Sequence, residues 1–156
     1  MDQWKELLAY WQARHVEGRP PSRQDIDPAV DLPMMAANLL IADVVPEGYR
    51  YRLVGSAVVE RHKEEMTGKL AGTSRFLERV RTQLLRTFDA VRDERRPRLL
   101  KTGSSEARDR ATAATLVLPL VAPSGETEKL LIGVFYERRY EAIDQIDFMD
   151  VSSPAI

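Results

Sequence analysis

Apolar residues recur along this chain in two rhythms, one of three and four residues and one of two, and these divide it into helices and strands. Trp4, Leu7, Leu8 and Trp11 stand at i, i+3, i+4 and i+7, a single stripe of a helix. Asp2 is a candidate cap, and Gly18 with Pro20-Pro21 ends the segment near His15. From Pro20 to Val30 the chain is irregular. Asp27-Pro28 predicts a short helical turn, because proline suits a first helical position, and Leu32-Pro33-Met34-Met35 a second one. Asn38–Val45 is a continuous apolar run of strand length, turned by Pro46-Glu47-Gly48 into Tyr49–Val54, so the two form a hairpin. Along the second strand Tyr49, Tyr51 and Leu53 fall on one side, and Arg50 and Arg52 on the other. Gly55 then turns the backbone into Ser56, a candidate helix cap.

Helical spacing returns from Ser56 to about Glu65, closed by Gly68, and again from about Arg75 to Glu94 through Phe76, Leu77, Val80, Leu84, Phe88 and Val91. Pro97 stops this second helix. Three strands follow, Arg98–Ser104, Thr112–Val121 and Lys129–Glu137, the last two joined by a turn at Pro123-Ser124-Gly125. Two strands, then helices, then three strands predict an antiparallel α+β domain. The division is a helix at 1–18, a domain at 19–143 and a flexible acidic tail at 144–156. Gly133 interrupts the last strand, where glycine marks the close approach of another element. That strand is apolar on both faces, with Leu131 and Phe135 on one of them. The N-terminal helix is therefore expected to cover the outer sheet face, in cis or across a homodimer, with Trp4, Leu7, Leu8 and Trp11 as its dimer or partner surface.

Composition removes more mechanisms than it suggests. At 156 residues, 44% apolar and 30% charged, the chain can bury one core. A net charge of -1 gives no field for nucleic acid or an anionic membrane, and no apolar run approaches the roughly 20 residues of a spanning helix. The N-terminus lacks a basic-then-apolar signal pattern, so a cytoplasmic location is expected. There is no cysteine, which excludes disulfides, thiolate chemistry, Cys-ligated zinc and a covalent flavin photocycle. No metal site is expected.

His15 and His62 are the two imidazoles. His15, at the end of the first helix, suits a structural role against the last carbonyls. His62 lies among Arg61, Lys63, Glu64 and Glu65, which reads as an exposed histidine and disfavours haem, whose ligand needs an apolar slot. The arginines of the second long helix and its end (Arg75, Arg79, Arg81, Arg86, Arg92, Arg95, Arg96, Arg98) are interleaved with Glu78, Asp89, Asp93 and Glu94, as on a solvated face. Asp43 and Tyr51 on adjoining strands would be the acid/base pair of an isomerase- or hydratase-like alternative.

Several pieces in this order resemble the short, stand-alone bacterial PAS-like domains: Tyr10-Trp11, Pro21–Pro28, Leu32-Pro33, Tyr49–Ser56 and Met66–Gly68, within a span from Trp4 to Tyr140. The resemblance implies a five-stranded antiparallel sheet in the order 2-1-5-4-3 with helices on one face. It also implies a sensory or protein-interaction module in signal transduction, without a catalytic set, that binds a small molecule or a protein partner. Strand alternation and helix spacing then nominate a pocket lined by Tyr51, Leu53, Met66, Leu84, Phe88, Thr102, Leu116, Leu118, Val134 and Tyr136, with Thr115 a further polar candidate. The remaining alternative is a structural interaction domain with a filled interior.

Overall fold

A computed structural model describes residues 2–73, 80–103, 111–138 and 147–150. The helices are α1 (Gln3–Ala13), α2 (Pro28–Asp31), α3 (Ser56–His62) and α4 (Arg81–Glu94). The strands are β1 (Leu39–Val45), β2 (Gly48–Val54), β3 (Arg98–Gly103), β4 (Ala111–Val121), β5 (Thr127–Arg138) and β6 (Asp147–Asp150). All pairings are antiparallel, in the order β2-β1-β5-β4-β3-β6. The predicted five-strand order 2-1-5-4-3 is therefore present, and a sixth strand extends it. Residues 147–150, expected within a flexible tail, pair with β3.

The two sheet faces carry two separate cores. On the outer face α1 lays Trp4, Leu7, Leu8, Tyr10 and Trp11 over Ile41, Leu99, Leu116, Leu118, Leu120, Leu131 and Phe135. A Cβ placed on Gly133 would stand 2.5 Å from Leu7 Cδ2, so the mid-strand glycine is where the helix comes closest. The Trp11 indole donates to the Pro119 carbonyl oxygen at 2.8 Å. Tyr10 ties α1 to α2, its hydroxyl donating to Asp31 at 2.7 Å and accepting from the Asp27 N–H at 3.0 Å. The expected covering helix is thus found in cis. Trp4, Leu7, Leu8 and Trp11, assigned to a partner surface, are at most 6% exposed, and their apolar area is spent on the chain's own sheet.

On the inner face α3 and α4 cover Leu40, Ala42, Leu100, Val117, Leu130, Ile132 and Val134. Several element ends differ from expectation. Gly55 is the cap residue of α3 and Ser56 its first member, and α3 stops at His62, where Lys63 turns left-handed (φ 54°). Asp2 precedes α1 without a side-chain cap, its carbonyl receiving the Lys5 and Glu6 N–H groups. The long helix is described from Arg81, while the predicted positions Arg75, Phe76, Leu77, Glu78 and Arg79 lie outside the described residues. The free edge of β2 is closed by the chain itself. Tyr51 N–H donates to the Lys69 carbonyl at 3.0 Å, and Gly68 and Ala71 N–H donate to the carbonyls of Tyr51 and Tyr49 at 2.7 and 2.8 Å.

Candidate functional site

Register decides which side chains share the space between the sheet and helices α3 and α4. Val134 stands opposite Thr115, and Thr115 opposite Leu100, so all three face inward beside Leu84, Phe88 and Val91. Two residues further along, Tyr136 stands opposite Ala113, and Ala113 opposite Thr102. Tyr51, Met66, Leu84, Phe88 and Val134 belong to one buried cluster, and Tyr136 packs against it. Six of the ten candidates are therefore brought together, with half-buried Thr102 beside them by register.

Three candidates are not. Leu53 is 48% exposed, because Ile41 pairs with Leu53 while Ala42 pairs with Tyr51, leaving Arg52 as a bulge. One extra residue reverses the alternation, so Leu53 leaves the face of Tyr51. Leu116 and Leu118 stand opposite Gly133 and Leu131, which places them on the outer face under α1. Asp43 likewise departs from Tyr51. Tyr51 pairs with inward-facing Ala42, whereas Asp43 is the next residue of β1 and points to the other face, where Lys129 Nζ and Arg52 Nε each lie 2.5 Å from its carboxylate. Burial opposes ionisation of Asp43, but the two cations prevail and hold its carboxyl below the usual range. The proposed acid/base pair is not assembled.

The inner face is largely apolar; apart from the hydroxyls of Tyr49 and Tyr51, its polar groups gather at the end where Thr115 and Tyr136 lie. There the Thr115 hydroxyl is fully buried and has no hydrogen-bond partner among the described residues. Beside it, His62 Nε2 lies 3.0 Å from the Tyr136 hydroxyl, and the Arg61 guanidinium sits 5.4 Å from the Tyr136 ring centre. Burial pushes Tyr136 up to about 12, against the pull of Arg61. Burial, then the Arg61 charge, lowers His62 below its ordinary value, although Glu64 opposes this. Burial also raises Tyr51. At neutral pH this end therefore presents phenol and imidazole in their uncharged forms.

His62 is accordingly half-buried and hydrogen-bonded rather than the exposed residue expected from its neighbours. It does not fit an axial haem ligand either, since its Nε2 is engaged by Tyr136. A lowered histidine pKa means that the unfolded chain binds the proton more readily. Stability should be highest above the unfolded value of about 6.5 and fall as pH drops below it. Urea midpoints from about pH 7.5 to about pH 5 should decline less in His62→Gln than in the wild type. Parallel pH profiles would show that His62 contributes nothing to this dependence.

Elsewhere, His15 Nδ1 lies 3.2 Å from the Trp11 carbonyl oxygen and its ring meets the Trp11 indole edge-on, a structural placement. Arg92 pairs with Asp89 and Asp93, and Arg98 with Glu94, while Arg81, Arg86 and Arg95 are exposed. Tyr49 anchors β2 to α4 by donating to Asp89 at 2.6 Å. A separate cavity of about 210 Å³ lies between Val16–Asp25 and Val121–Pro123, away from the inner face, with Arg19 donating across it to the Ala122 and Pro123 carbonyls. Among the described residues no group of three His, Asp or Glu side chains is placed to hold a metal, and no helix is long and apolar enough to cross a membrane.

Residues 2–136, which hold most of the sheet and the helices on both of its faces, match the family model described as a PAS domain. The chain belongs to the PAS domain family. No curated protein matches it. The matched span of this PAS domain takes in β1 to β4, α1, α3, α4 and the site as far as Tyr136, whereas β6 lies beyond it. A sensory or regulatory role in general follows from the family.

Proposed function

We propose that this PAS domain is a non-enzymatic, cytoplasmic sensory module in signal transduction, and that it binds a small amphiphilic molecule between the sheet and helices α3 and α4. The ligand's apolar body would lie against Leu84, Phe88 and Val134, and an uncharged hydrogen-bonding group would meet Thr115 near Tyr136. The observation that carries this reading is the Thr115 hydroxyl, fully buried on an apolar floor without a partner among the described residues. A buried hydroxyl is stabilising only when it is paired, so a ligand group is the natural complement. Binding there would favour one placement of α3 and α4 over another, and that difference in affinity is the signal.

Native mass spectrometry of protein purified without denaturation tests this. Wild-type protein should carry a small-molecule adduct, and Thr115→Val should reduce its occupancy by about tenfold, equivalent to roughly 1.4 kcal/mol. The same variant, stripped of ligand, should be as stable as the wild type or more so by up to about 1 kcal/mol, because valine keeps the shape and removes the orphan group. No adduct in either protein, together with loss of stability in Thr115→Val, would favour the filled-core interaction domain, for which the full burial of Tyr51, Leu84 and Phe88 speaks.

A further inference from the structure

We propose that the cavity between residues 16–25 and the end of β4 is a second binding site, and that it takes a small zwitterion of the amino-acid type with an apolar side chain. It lies apart from the inner face, so it neither needs nor replaces the ligand proposed there. Its volume of about 210 Å³ equals that of about seven waters in the liquid, which suits a molecule of roughly that many heavy atoms.

Backbone bonds hold the walls. Val16 and Arg19 exchange N–H bonds to each other's carbonyls at 3.1 and 2.9 Å across a two-residue turn, and the Val121 N–H donates to the Pro21 carbonyl at 3.0 Å. Glu17 occupies that turn at φ 51°, ahead of Gly18 at 76°, where such turns ordinarily select asparagine, aspartate or glycine. Val16, Pro20, Val121, Ala122 and Pro123 make up the apolar lining.

Charges of both signs, Glu17, Arg19 and Asp25, stand on this small space. Opposite charges sharing a crease ordinarily neutralise one another, yet none of the three enters an ion pair among the described residues. Uncharged groups orient two of them instead. Arg19 Nη2 donates to the carbonyls of Ala122 and Pro123 at 3.3 and 2.9 Å, which uses both of its hydrogens and leaves Nε and Nη1 to a ligand. Asp25 takes the Ser22 N–H and hydroxyl on one oxygen, Oδ2, at 2.9 and 3.0 Å, and its Oδ1 accepts nothing from the described residues. A fixed guanidinium complements an oxyanion and a fixed carboxylate complements an ammonium. An anion alone would face two carboxylates, and a cation alone would face Arg19. The zwitterion's carboxylate therefore goes to Arg19, its ammonium to Asp25 with Glu17 beside it, and its side chain to the apolar lining.

Two-dimensional NMR of the full-length ¹⁵N-labelled protein titrated with L-valine tests this. Saturable shifts are expected at the amides of Arg19, Ser22 and Val121, with a Kd of about 1 mM or tighter, while the inner-face amides of Thr115 and Val134 stay in place. Isobutylamine is valine without its carboxylate and isovalerate is valine without its ammonium. Each should bind at least about tenfold more weakly than valine, a comparison made on the wild-type protein and independent of how any variant folds. In Arg19→Gln valine should lose its advantage over isobutylamine, and in Asp25→Asn its advantage over isovalerate, changes that a merely loosened turn would not produce. No saturable shift by about 10 mM valine would overturn the proposal. So would shifts confined to the inner-face amides, or equal binding of valine and its two analogues.

Discussion

Gly55→Ala is expected to destabilise the fold by about 3 kcal/mol or more, at the upper end of what overpacking costs. Its backbone is ordinary, φ −65° and ψ 149°, which alanine adopts freely, so conformational strain is not the cause. Space is. A Cβ on Gly55 would overlap the carbonyl carbon and oxygen of Ala37, backbone atoms that cannot swing aside as a side-chain tip can. Gly55 cannot retreat either. Its N–H donates to the Leu39 carbonyl at 2.8 Å, and its own carbonyl receives the Val58 and Val59 N–H groups at 3.1 and 3.2 Å as α3 begins. Relief would have to move α3, which carries Val58 into the inner core and His62 to Tyr136. Gly68→Ala is the contrasting control: φ is +87° but nothing lies within 4 Å of the added carbon, so only conformational strain of about 1 kcal/mol is expected. Denaturant midpoints of the two variants separate the mechanisms. A Gly55→Ala protein within about 0.5 kcal/mol of the wild type would show that the Ala37 carbonyl yields.

Gly55 and Gly133 show how far residues alone can be read. Both are places where another element comes close, yet only Gly133 announces it, because Leu131 and Phe135 flank it on a face that a one-layer sheet would leave wet. Gly55 lies between a strand and a helix, where a sharp turn is the ready explanation, and its neighbour Ala37 comes from a single 3-10 turn, Ala36–Asn38, too short to show a period. Strand alternation assigns side chains to two parities but does not say which parity meets which layer. Thr115 and Leu116 illustrate this: pairing with Val134 and Gly133 puts the first inside and the second under α1. The Arg52 bulge is harder still, since an extra residue in one strand leaves no mark on the pattern of that strand. His62 sits in a charged run, and its partner lies 74 residues away. In β6, four residues with an apolar pair between aspartates are too short to show a period, so they read as part of an acidic tail.

Removing residues 1–18 should leave no folded monomer. Helix α1 buries Trp4, Leu7, Leu8, Tyr10 and Trp11 against the outer sheet face. At roughly 1.5–3 kcal/mol for each fully buried large side chain, the helix contributes a gross of about 8–15 kcal/mol. That is comparable with the whole stability of a domain this size, about 5–15 kcal/mol. The sheet would be left with Leu99, Leu116, Leu118, Leu131 and Phe135 open to water, a continuous apolar face of the kind that aggregates. The inner core would still hold its own residues, but β4 and β5 serve both layers, so losing one layer loosens the floor of the other. Gel filtration with far-UV circular dichroism is the suitable measurement, because both tryptophans leave with the helix. Aggregates, or a chain without a cooperative thermal transition, are expected. A truncated monomer that melts cooperatively near the wild-type temperature would mean that the outer face does not depend on α1. Trp11→Phe separates packing from hydrogen bonding within the same contact: it keeps an aromatic ring but leaves the Pro119 carbonyl without its donor, a change of about 1 kcal/mol. If that small change alone matched the effect of deleting the helix, the stripe's apolar burial would not be what holds the outer layer in place.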